Sequence, residues 1–186
     1  MRYQPLLRRG FTMIELLMVL AIGAVLAMIA VPSMRDMLNT SRLNSATALV
    51  VNDLNQARGE AIKRNTRMLV CRRDAAGTDC EASAGPPFDW RAGWLVCIEG
   101  LVVGQCAASS AADPNPIIVR PPLDASLTLA SPVVFVRFSP NSAVAAAADF
   151  DLGGVWTGAV PRKVCILRTG NMLKLPPPPG SQVCPS

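Results

Sequence analysis

One carboxylate interrupts an otherwise apolar stretch near the start of this 186-residue chain: Glu15, inside the run FTMIELLMVLAIGAVLAMIAV over residues 11–31. An ionisable group in such a run is costly unless it is paired, so it marks a candidate site of interaction. The other chemically capable residues are six cysteines, at 71, 80, 97, 106, 165 and 184. Histidine is absent. That removes the commonest general base and the commonest metal ligand, and with them His-dependent triads and mixed Cys-His zinc sites. No paired acidic motif and no Gly-rich phosphate loop appears, so the sequence does not read as an enzyme and calls for no cofactor.

The cysteines are even in number and all follow the apolar run, which reads as disulfides in an oxidising compartment. A Cys-only zinc site competes, but no pair has the close C-x-x-C spacing such sites favour, and no metal is expected. Six cysteines allow 15 pairings. Proximity along the chain selects Cys71–Cys80 and Cys97–Cys106 as short local loops, with Cys165–Cys184 tying down a Pro-rich tail. Trp90 and Trp94 read as packing residues of the same region, although a tryptophan can also stack on a base.

These residues need elements to hold them. The stretch MRYQPLLRRG, residues 1–10, is short and basic. The apolar run that follows is about long enough to cross a bilayer as a helix, which takes roughly 20 residues. The arginines before it place the N-terminus on the cytoplasmic side. A secretory signal peptide has a similar plan. The length of the run, the carboxylate near its start and the lack of an A-x-A site before Pro32 argue against one. Helical periodicity continues over residues 33–65, with Leu43, Ala46, Val50, Leu54, Ala57 and Ala61 forming a stripe and Arg42, Asp53, Arg58 and Lys63 between them. Gly23 and Pro32 are the expected weak points; proline removes a helix hydrogen bond and kinks the axis.

After Asn65 the pattern changes to short strands separated by Gly, Pro, Asn and Ala-rich stretches. Strands are expected over 67–72, 93–99, 116–120, 126–129, 133–138, 149–152, 163–168 and 171–175, with loops over 74–89 and 104–115. The expected organisation is therefore a segment 1–10, a membrane-spanning half-helix 11–32, an amphipathic half 33–65, a β-rich head 66–175 and a tail 176–186. Formal net charge is +5. Without Arg2, Arg8 and Arg9 the balance is 15 basic against 13 acidic residues, too weak to argue nucleic-acid binding.

The order Gly10-Phe11-Thr12-Met13-Ile14-Glu15-Leu16, after a basic leader and before a long apolar run and Pro32, resembles the type IV prepilin signature. Further residues narrow the likeness to the GspH/FimT group. They are Ser41-Arg42-Leu43, Asp53-Leu54, Ala57-Arg58, Glu60-Ala61 and Arg64-Asn65 on the helix, then Cys71, Cys80 and Trp90-Arg91-Ala92-Gly93-Trp94. Phe138-Ser139-Pro140-Asn141 and Arg168-Thr169-Gly170 complete the set. The resemblance implies an α+β, pilin-like fold: a long N-terminal helix on a disulfide-bonded head of two antiparallel sheets. It implies a prepilin peptidase that cuts after Gly10 and N-methylates Phe11. It also implies other pilins or pseudopilins, an inner-membrane assembly platform and the lipid bilayer as partners.

On that reading the chain is a single-pass bacterial inner-membrane protein with a cytoplasmic N-terminus and a periplasmic head. It becomes a minor subunit of a periplasmic type II secretion pseudopilus or a surface type IV pilus, acting in filament assembly or at the tip. Glycine at the cut lets a protease approach the backbone closely. A helical turn spans about 5.4 Å, so a neighbour displaced by about a turn brings its Phe11 amine to Glu15. The competing reading leaves Glu15 snorkelling at the headgroups. The alternative function is a DNA-uptake receptor at a pilus tip. Related chains use a Gly-Arg-x-Arg element for that, but here Gly170-Asn171-Met172-Leu173 carries neither arginine. Arg162, Lys163, Arg168 and Lys174 are the substitute DNA contacts, set against a plain reading as solvated strand charges.

Overall fold

The computed structural model describes residues 11–81, 88–111, 113–175 and 184–185, and for 29–33 the backbone alone. The segment 1–10, with Gly10, and the tail over 176–183 lie outside the described residues. Among the described residues one helix, α1 (Met13–Arg64), precedes nine strands. They are β1 (Met68–Arg72), β2 (Phe88–Asp89), β3 (Trp94–Ile98), β4 (Ile118–Val119), β5 (Leu127–Ser131), β6 (Phe135–Phe138), β7 (Ala148–Gly154), β8 (Arg162–Ile166) and β9 (Met172–Leu175). The chain divides into two units, residues 1–38 and 39–186.

In the first unit, Thr12 caps the helix: the Glu15 amide donates to Thr12 Oγ1 at 3.3 Å. Thr12 and Glu15 thus stand at the spacing of a capping box, with an acidic residue in the first turn where the helix dipole favours it. The helix continues through Gly23 and Pro32. Every described side chain from Phe11 to Met28 is exposed, on all sides of the helix. Among the described residues no helix is long and apolar enough to cross a membrane. The expected span over 11–32 runs into residues 29–33, whose side chains lie outside that description.

In the second unit, the stripe Leu43, Ala46, Val50, Leu54, Ala57 and Ala61 is the buried face of α1. The helix stops at a Schellman motif. Asn65 adopts a left-handed φ of 49°, its amide bonds to the Ile62 carbonyl, and the Thr66 amide reaches the Ala61 carbonyl. The strands form two sheets, ordered β4-β3-β1-β6 and β2-β5-β7-β8-β9. Each named pairing is antiparallel. Met68, Val70, Val96, Val136 and Phe138 from the first sheet meet Leu127, Leu129, Phe150, Leu152, Val164 and Ile166 from the second in one core with the helix stripe.

Two details depart from the sequence expectation. The 74–89 stretch is not all loop: β2 pairs Phe88 with Ser131 and Asp89 with Ala130. A two-residue strand is too short for an alternating pattern to register. β7 also extends beyond 149–152 in both directions, through Ala148 and through Gly153 and Gly154, because β5 and β8 supply partners for these residues. Glycine has little strand propensity of its own, and cross-strand pairing overrides it.

Candidate functional site

The chain offers two places where chemistry concentrates: the start of α1, and the seam where α1 meets the sheets. At the start, Phe11 is 81 % exposed and Glu15 lies one turn further on, also exposed. Leu16, Leu17, Val19, Leu20, Ile22, Val25 and Leu26 are exposed too and continue an apolar surface along the helix. A helix apolar on all sides belongs in a non-aqueous setting or against other helices. At Gly23 an added Cβ would meet nothing within 4 Å, so no packing among the described residues requires the glycine.

The seam is built around a carboxylate of the opposite kind. Asp53 is 1 % exposed. Its two oxygens accept from Arg120 Nε and Nη2, both at 2.7 Å, and Oδ2 also accepts from Trp94 Nε1 at 2.9 Å. Hydrogen bonding to Asp53 raises the Arg120 pKa, outweighing burial. A paired and hydrogen-bonded charge is the form in which a buried carboxylate is tolerated. In sequence Asp53 falls among the polar positions between the stripe residues, whereas the fold buries it against the first sheet. Its adjacency to Leu54 in the apolar stripe was the available signal; the partner, 67 residues away, had none.

A second lock gathers three separate segments on one arginine. Arg58 donates to Asn171 Oδ1 at 2.9 Å and to Ser142 Oγ at 3.4 Å. Gly170 has a φ of +77°, and a Cβ there would collide with the Ser142 carbonyl oxygen. The Val144 amide reaches the Arg168 carbonyl at 2.9 Å, joining the same two loops. The Ala57-Arg58, Phe138–Asn141 and Arg168–Gly170 stretches therefore converge at one corner of the head. At the end of α1, Arg64 joins Glu60 and Asp113; its hydrogen bond holds the Glu60 carboxyl below its ordinary pKa.

The sulfurs pair as Cys71–Cys80, Cys97–Cys106 and Cys165–Cys184. The tryptophans are buried: Trp90 packs edge-on against Phe150 with centroids 4.8 Å apart and donates to the Val133 carbonyl, while Trp94 serves Asp53. Neither presents a face to a base.

Arg162, Lys163, Arg168 and Lys174 do not all share one strand face, although the register puts Lys174 on the same face as Arg162. Arg162 and Lys163 are consecutive in β8 and so point to opposite faces. Lys163 bonds to Asp149 at 2.6 Å and pairs with Asp151 at 2.8 Å. Burial works against its ammonium, yet these two carboxylates raise its pKa overall. Arg162 donates to the Val160 carbonyl at 3.0 Å. Arg168 lies beyond β8, and Lys174 stands opposite Val164 on β9.

Comparison with known proteins adds two matches to this geometry. Residues 46–170 match the family model described as type II transport protein GspH. Residues 7–31 match the prokaryotic N-terminal methylation motif. No curated protein sequence matches the chain. Among solved structures, the chain is similar to the type IV minor pilin FimU of Pseudomonas aeruginosa, at 19 % identity and a TM-score of 0.52. The match covers 77 % of this chain and 92 % of that one. A second crystal form of FimU gives 18 % identity, a TM-score of 0.49 and coverage of 73 % and 91 %.

Proposed function

From the premise that this chain belongs to the GspH family, we propose that it is a minor pilin or pseudopilin that assembles into a type II secretion pseudopilus or a type IV pilus. The observation that carries this reading is the joining of a methylation-motif helix start and a GspH head on one chain. The unpartnered apolar surface from Phe11 to Met28 supports it, since exposed apolar area of this extent needs a membrane or neighbouring helices to cover it. A prepilin peptidase removes residues 1–10 and methylates the Phe11 amine. Before assembly the N-terminal half-helix, 11–32, anchors the chain in the inner membrane with the head in the periplasm. Gly23 and Pro32 are its points of bending.

Glu15 gives the new amine a partner. In an apolar filament interior, a carboxylate of one subunit and the Phe11 amine of the next offset each other's desolvation, where either alone is costly. The pairing sets the stagger at about one helical turn, roughly 5.4 Å. The Thr12 cap uses the Glu15 amide and not its carboxylate, so substitution of the side chain tests the assembly role directly. Glu15→Ala retains cleavage after Gly10, read by intact mass, and loses incorporation into sheared or cross-linked filaments. Glu15→Gln keeps the size of the side chain and fails equally. Normal incorporation of either variant would overturn the role. The three cysteine bridges hold the head for export-side conditions, each contributing about 2–4 kcal/mol.

A further inference from the structure

The four sulfurs of the first two bridges lie in one cluster. Cys71, Cys80, Cys97 and Cys106 place their Sγ atoms all within 4.8 Å of one another, and Cys80 Sγ approaches Cys106 Sγ to 3.8 Å across the two bridges. In β1 and β3, Leu69 stands opposite Cys97 and Cys71 opposite Leu95. The two cysteines are therefore diagonal neighbours on the face turned away from the Met68, Val70 and Val96 side of the sheet. Two loops bring the other pair over them, through the bridges Arg73↔Cys80 and Glu99↔Cys106. Asp79 fastens these loops to each other without using sulfur. Its Oδ1 accepts the Cys80 amide at 2.7 Å and the Cys106 amide at 2.9 Å.

The geometry points to a second state of this cluster: with the two bridges open, the four thiolates hold one thiophilic divalent cation of the zinc class. In a tetrahedral Cys₄ site, metal–sulfur bonds of about 2.3 Å set the sulfurs roughly 3.8 Å apart. The inter-bridge contact already has this separation. Opening the two bridges lets each bonded pair spread toward the same value by side-chain rotation, while β1, β3 and Asp79 retain the backbones. The spacing along the chain hid this possibility, because the ligands come as two wide loops. The third bridge, Cys165–Cys184, is not part of the cluster.

A dithiol reductant opens the bridges. Each bridge gains two electrons and two protons from one dithiol, which becomes a disulfide. The four thiols then release four protons to solvent as they bind the cation. A newly synthesised chain starts from the thiol state and needs no reductant. Oxidation of the cluster by a disulfide oxidant ejects the cation, so metal retention and bridge formation exclude each other.

The test uses the full chain in detergent, reduced with a phosphine, freed of it under argon and titrated with Co²⁺. The expected result is one Co²⁺ per chain, with thiolate-to-cobalt charge-transfer absorption, the visible bands of tetrahedral cobalt and displacement by Zn²⁺. The paired substitution Cys71→Ser with Cys97→Ser loses this signal, and Cys165→Ser with Cys184→Ser keeps it. Circular dichroism accompanies the titration. If the reduced chain unfolds and Co²⁺ restores it with the same bands, the site stands. Absence of thiolate absorption, folded or unfolded, overturns it, as does equal uptake by the Cys71/Cys97 variant.

Discussion

Glu15 and Asp53 are carboxylates on the same helix, and their surroundings are opposites. Asp53 is buried in the head, with three hydrogen bonds to its oxygens from Arg120 and Trp94. Glu15 is exposed among exposed apolar residues, and its amide is capped by Thr12. One helix thus carries a charge whose partner is supplied by its own chain and a charge whose proposed partner comes from another. The first kind stabilises a fold. The second kind has no side-chain partner among the described residues, as the proposed assembly role requires.

The comparison breaks most sharply at Asp53. Asp53→Ala leaves Arg120 and the Trp94 N–H without their acceptor. The expected loss is roughly 3 kcal/mol, the low end for unpairing a buried charge. Arg120 keeps 32 % of its side chain in water, which moderates the cost. In a domain of this size that is a fall in melting temperature of about 10 °C, measured by circular dichroism, with removal of residues 1–10 unaffected. Glu15→Ala gives the converse: an unchanged head melting transition and failed assembly. Equal melting losses for the two variants would remove the distinction between them.

A smaller effect is expected at the Arg58 corner. Gly170→Ala forces a side chain into a left-handed φ and against the Ser142 carbonyl, costing about 1–3 kcal/mol. Urea denaturation checks it, and an unchanged midpoint would show that the two loops rearrange without cost. The smallest concerns Lys163, whose pKa is raised in the fold by Asp149 and Asp151. A group with a raised folded pKa contributes stability that is complete below its ordinary value of 10.5 and is lost as pH rises through the folded one. Lys163→Met is therefore less stable than the parent at neutral pH, by about 1 kcal/mol. The gap closes above that ordinary value, and a gap independent of pH would mean that packing rather than charge is responsible.

Much of this was readable along the chain because it depends on neighbours in sequence. The stripe from Leu43 to Ala61 follows from helical periodicity, and Asn65 as the end of α1 follows from its tolerance of left-handed backbone. The T-x-x-E spacing of Thr12 and Glu15 is likewise local, and Thr12 caps the first turn of α1. β2 was not legible at all: two residues carry no period, and only β5 makes them a strand. The basic residues near 162–174 looked like a patch in one dimension. Strand alternation puts Lys163 on the face opposite Arg162, where Asp149 and Asp151 engage it.

By itself, then, the sequence determined the kinds of local structure: a basic start, an apolar run with one carboxylate, an amphipathic helix and a strand-rich remainder with six cysteines. These rest on composition and period, which short stretches carry on their own. Tertiary structure alone decided that Asp53 meets Arg120, that Arg58 collects loops more than 80 residues away, and that two separate nine-residue cysteine spacings share one cluster. Those pairings depend on sheet order and register. Short-range patterns do not specify them, because the energy that selects them comes from burying distant residues together.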